Sequence, residues 1–89
     1  MKILQVTIGA SATQLAADVP VRQVIIQNNA GHAMRIGDSS VDSTHGALLA
    51  SGSPGGALNF GPFDTHADNL RNYWVSGTQN DVVDIAYIP

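Results

Sequence analysis

Cysteine is missing altogether from these 89 residues, so neither a disulfide nor a thiolate zinc site can hold the chain together. Glutamate is missing too. All seven acids are aspartates, Lys2 is the single lysine, and Arg22, Arg35 and Arg71 are the only arginines. Charged residues make up 12% of the chain, about half the share in an ordinary soluble domain. Protein interfaces are depleted in Lys, Glu and Asp, so a surface this poor in Lys and Glu points to self-association or docking. The net charge of −3, with no basic run, offers nothing to displace counterions from phosphates, and nucleic acid is not an expected partner. No apolar stretch approaches the ~20 residues of a membrane helix. Met1–Val6 lacks the apolar core of a secretory signal. Synthesis in a cytoplasm is therefore expected, with no membrane partner.

What is present is alternation. Leu4, Val6 and Ile8 alternate with Gln5 and Thr7, the pattern of a half-buried strand. Ser11 to Ala17 is ambiguous between a short strand and a single turn. Val21 to Asn28 is the strongest strand, with Val24 and Ile26 on one face and Val21 and Ile25 on the other. Apolar groups on both faces place it centrally or under a cover. Asn28-Asn29-Ala30-Gly31 punctuates the chain, and Ala33 to Ile36 resumes as a strand, predicting a hairpin with the previous one. Gly37 to Gly46 is almost all turn formers, anchored by Val41. Leu48-Leu49 and Leu58 to Phe60 form short strands on either side of a turn at Pro54-Gly55. Tyr73 to Val75 and Val82 to Ile88 close the chain. Six to eight short strands at about 8–12-residue spacing, with no sustained 3.6-residue period, predict one all-β domain over residues 1–89. Its long Gly-punctuated loops favour a jelly-roll-like β-sandwich over a meander. A domain this small buries only about 60–65% of its unfolded surface, and oligomerisation is the remaining source of buried area.

The chemistry-bearing residues form no catalytic pattern. His32, His45 and His66 fall in three separate loops, and without a Glu the zincin and cupin ligand sets fail; no metal is expected. Asp38-Ser-Ser-Val-Asp42 departs from a calcium loop, with Ser40, Ser43 and Leu49 where its later ligands and glycine belong. Asp38 and Asp42, like Asp64 and Asp68, suit turns. Ser51-Gly-Ser-Pro-Gly55 lacks both the Gly-Lys-Ser/Thr of a phosphate loop and the first glycine of a nucleophile elbow. The chain is therefore read as a non-enzyme without catalytic residues or cofactor. Tyr73 and Trp74 are adjacent on a predicted strand and so face opposite sides. Trp and Tyr anchor interfaces and also stack on sugars. The candidate interface residues are Trp74, Tyr73, Phe60, Val21 and Ile25.

Val24-Ile25-Ile26-Gln27-Asn28, then Arg35-Ile36-Gly37-Asp38-Ser39-Ser40-Val41, then Gly46-Ala47-Leu48-Leu49, resembles small β-sandwich virion proteins of tailed bacteriophages. Within that group it is nearest to head-decoration, or capsid cement, proteins. The likeness runs from Val21 to Gly52, with an echo in Val82–Ile88. The family pattern places Pro-Gly soon after the double leucine, where this chain has the longer Ser51–Gly56. The resemblance implies a structural protein on the capsid surface of a virion, a homo-oligomer, commonly a trimer, bound to the major capsid protein. A small tail or baseplate protein is the neighbouring alternative. A glycan-binding module built on Trp74 is the alternative from another class.

Overall fold

Ten strands form in the computed structural model, which describes residues 1–52, 55–63 and 68–89. They are β1 (Lys2–Thr7), β2 (Thr13–Gln14), β3 (Pro20–Val21), β4 (Gln23–Asn28), β5 (Met34–Gly37), β6 (Ala47–Leu49), β7 (Ala57–Phe60), β8 (Asp68–Asn69), β9 (Trp74–Ser76) and β10 (Val82–Ile88). The only helical piece among the described residues is a 3₁₀ turn at Leu70–Asn72. All strand pairs are antiparallel.

The pairing follows one rule. The first strand pairs with the last, the second with the ninth, the third with the eighth, and so inward to β5 with β6. Successive partners run Lys2↔Tyr87, Thr13↔Val75, Pro20↔Asn69, Val24↔Phe60 and Met34↔Leu49. The chain is thus one long antiparallel ribbon that doubles back at the 38–46 loop. Rolling this ribbon joins β10 to β4 and β9 to β5. The result is two four-stranded sheets, β1-β10-β4-β7 (sheet A) and β2-β9-β5-β6 (sheet B), with β3-β8 as a small corner piece. This is the strand order of a jelly roll. Eight strands make up the two main sheets, at the upper end of the six to eight that alternation predicts.

Alternation decides which side chains fill the space between the sheets. Val24 and Ile26 of β4, with Val83 and Ile85 of β10, project inward from sheet A and are buried. Met34, Ile36, Leu49 and Val75 do so from sheet B, and Ile8, Leu15, Val21 and Leu70 close the ends. Val41 is buried as the anchor of the 38–46 loop, as its lone apolar character predicts.

Two expectations are corrected. The segment from Val21 to Asn28 is not one strand. The chain bends at Arg22, Val21 pairs with Asp68 in the corner piece, and its side chain lies in the core, so Val21 and Ile25 do not share a face. Nor do β4 and β5 form a hairpin. Both hydrogen-bonding sides of β4 are taken, by β10 and by β7, so β5 has no vacant edge beside it and crosses to the other sheet.

Asn28 is the one buried polar side chain among the described residues. Its amide nitrogen donates to the carbonyls of Leu49 at 3.0 Å and His32 at 2.8 Å, and its Oδ1 accepts from the N–H of Ala30 at 2.9 Å. It ties the end of sheet A to sheet B and to the turn between them.

Candidate docking faces

Sheet A has an outer face that none of the described residues covers. The residues alternating with its core positions are Ile3, Gln5 and Thr7 on β1; Val82, Asp84, Ala86 and Ile88 on β10; Gln23, Ile25 and Gln27 on β4; and Ala57 and Asn59 on β7. Register aligns them in rows. Ile3 lies opposite Ala86, Ala86 opposite Ile25, and Ile25 opposite Asn59, so an apolar row crosses three of the four strands. Ile3 is 85% exposed. A shallow trough of about 270 Å³ lies over this row and the next.

The polar groups on this face are turned on one another. Asp84 is its one charged residue, and both carboxylate oxygens are engaged: Oδ1 accepts from the Gln5 amide and Oδ2 from the Asn29 amide, each at 2.8 Å. The Gln23 amide donates to Asn59 Oδ1 at 3.1 Å. Two amide donors lower the cost of covering the Asp84 carboxylate without removing it, because a buried charge is cheap only when paired as well as hydrogen-bonded.

The outer face of sheet B is different. Arg35 spans it with its guanidinium spent on the chain's own loop, donating to the carbonyls of Ser43 at 3.2 Å and Gly46 at 2.9 Å. Leu48, opposite Arg35, is 55% exposed. Trp74 alternates with the buried Val75, pairs with Gln14 and Gly37, and is half-buried on this face. Glycine at position 37 leaves no side chain beside it.

The five candidate interface residues divide accordingly. Ile25 and Trp74 lie on outer faces, one on each sheet. Val21 is fully buried and has no surface to present. Phe60 and Tyr73 pack against the core, their rings 5.2 Å apart and tilted by 46°. Tyr73 lies outside β9. Its N–H caps the 3₁₀ turn at the Leu70 carbonyl, yet its backbone is extended and it packs inward while Trp74 faces out, the opposite facing that the sequence predicts. Its hydroxyl donates to Asp68 Oδ2 at 2.6 Å. Burial first, then this bond and the Asp68 charge, push the phenol well above its ordinary value of 10.0.

The loop aspartates serve their turns. Asp38 Oδ1 accepts from both the hydroxyl and the N–H of Ser40, which lowers its pKa. Asp42 Oδ1 accepts from the N–H of Thr44, from the His45 ring and from the Thr44 hydroxyl, and its pKa falls far below the ordinary carboxylate value. His32 Nδ1 sits 2.8 Å from Asp81 Oδ2. Among the described residues no three metal-ligating side chains come together. His66, Asp64 and Pro54 lie outside them.

No family model, curated protein or solved structure matches this chain.

Sequence reasoning named Ile25 but missed Ile3 and Ala86, its neighbours in the row. The signal was the second apolar face of β4. What lay beside it depended on a register with strands at the two far ends of the chain.

Proposed function

We propose that this chain is a structural virion protein of the capsid-decorating kind, a homo-oligomer that docks on the major capsid protein. One observation supports a docking role above all: the outer face of sheet A, with its apolar Ile3–Ala86–Ile25 row and a single charge held by two amides. Soluble monomers seldom leave a contiguous apolar patch uncovered unless it is used. The resemblance of Val21–Gly52 to head-decoration proteins supplies the setting. Such a role needs many weak contacts to a repeating lattice rather than chemistry, because linked sites raise one another's effective concentration.

The test is quantitative mass spectrometry of purified particles from a phage encoding this chain. Capsid decoration predicts hundreds of copies per virion; a handful moves the protein to the tail or baseplate, and none removes the virion reading. Contacts through this face are largely uncharged, so docking should change little between low and high salt. The half-buried Trp74 beside Gly37 favours one second reading, a sugar-stacking module. Glycan-array binding abolished by Trp74→Ala, with the oligomer intact, would raise it above the first.

A further inference from the structure

Sheet A ends at β1 and β7, and sheet B at β2 and β6. With six residues, β1 is the longest of the four; the others have four, two and three. A long apolar edge strand is a template for another chain unless proline, a bulge or charge blunts it. β1 contains no proline, and its register with β10 runs unbroken from Lys2↔Tyr87 to Thr7↔Val82. Its one charge, Lys2, stands at its end.

The direction of its free peptide groups is fixed by parity. The Ile8 N–H donates to the Asp81 carbonyl, and the Ile8 carbonyl accepts from the Asn80 N–H, both at 2.9 Å. Ile8 therefore faces the β10 side. Residues of an antiparallel ladder alternate in the side to which they bond, so Val6, Leu4 and Lys2 also bond β10. Ile3, Gln5 and Thr7 turn their N–H and C=O groups to the outer edge, where no described strand pairs with them.

We propose that β1 is the self-association edge, pairing antiparallel with β1 of a second copy about a twofold axis at Gln5. The three residues with free peptide groups are symmetric about that point. Gln5 then faces Gln5 of the partner subunit, and Ile3 faces Thr7 of the partner subunit, each pair exchanging two backbone hydrogen bonds. The same register places Leu4 opposite the partner's Val6, both core-facing and half-buried, so the two sandwich interiors become continuous. Outside, the two faces join into one of eight strands, in which the Ile3 row of each copy meets Thr7 of the partner subunit. Charge permits it. The two Lys2 residues lie about 20 Å apart along the ladder, and the two Asp84 residues about 14 Å apart across it, beyond the roughly 8–10 Å reach of screened charges.

This deepens the self-assembly in the proposed function and rests on it, naming two chains where the resemblance implies three. The chain has no cysteine, so a single introduced thiol reports position. Gln5→Cys sits on the axis, where hydrogen-bonded partners lie about 5.5 Å apart between Cα atoms, within the roughly 4.4–6.8 Å that a disulfide spans. Mild oxidation should convert Gln5→Cys almost completely to a covalent dimer. Ile3→Cys, about 13 Å from its own copy, should stay single-chain on a non-reducing gel. Wild type should sediment as two chains, and Gln5→Pro, which removes an edge donor and within the chain only the exposed side-chain bond to Asp84, as one. A wild-type mass above one chain without cross-linking of Gln5→Cys overturns the edge while self-assembly stands. A single-chain mass up to millimolar concentration overturns both.

Discussion

Replacing Asn28 by alanine should be among the most damaging single changes available in this chain. The side chain is fully buried and makes three hydrogen bonds, two donated and one accepted. Removing it takes one donor from the Leu49 carbonyl, which is also paired with Met34 in the ladder. The His32 carbonyl and the Ala30 N–H are only partly buried and can turn to water, so each of the three bonds should cost about 0.5–1.5 kcal/mol. The sum is about 1.5–4.5 kcal/mol, against a total stability of about 4–13 kcal/mol for a domain of this length. In melting temperature that is a fall of roughly 6–36 °C. Urea unfolding at a fixed protein concentration should show the midpoint falling with an unchanged slope. Asn28→Asp should be worse still at neutral pH, because a carboxylate would face two carbonyls in place of the donor. Burial and those carbonyls raise the folded carboxyl's pKa above its unfolded value. The mutant is therefore penalised as pH rises through that window and partly rescued as pH falls. A loss below about 1 kcal/mol for Asn28→Ala, or an Asn28→Asp variant indifferent to acid, would refute this account of how the two sheets are tied.

Gly46→Ala should cost about 1–3 kcal/mol in urea unfolding, because at φ 126° its Cβ would stand 2.7 Å from Val41 Cγ2 and 2.8 Å from the Ile36 carbonyl oxygen. Tyr73→Phe should cost about 1 kcal/mol, and ultraviolet titration should leave Tyr73 un-ionised well above pH 10. Since its folded pKa is raised, the stability this phenol contributes is complete below its unfolded value and lost as pH climbs toward the folded one. Asp42 behaves oppositely: its pKa is depressed by the Thr44 N–H and then by His45, so the order it lends the turn holds above its unfolded value of 3.8 and fades as pH drops below it. Protection of the Thr44 and His45 amides, measured against the free-peptide exchange rate at each pH, should fall in acid, and Asp42→Asn, which keeps the accepting oxygen, should abolish that dependence.

Composition and alternation by themselves determined a good deal. They placed strands over Leu4–Ile8, Val21–Asn28, Leu58–Phe60 and Val82–Ile88, each overlapping an observed strand, made Val41 an anchor, and gave Asp38 and Asp42 to turns, because each of these depends on neighbours within a few residues. Even the burial of Asn28 was available, since it continues the inward parity of Val24 and Ile26. The tertiary structure alone decided who pairs with whom. β4 leaves its sequence neighbour β5 for β10 and β7, and Val21 passes from a supposed outer face into the core through one bend at Arg22. The same holds for the face proposed to dock. Ile3 and Ala86 are unremarkable in the chain, and with Ile25 they become a row only because the ribbon rolls its first strand against its last. Side-chain parity is a local property of an extended backbone. Register between strands some 80 residues apart is set by the fit of the whole core, which no local pattern encodes.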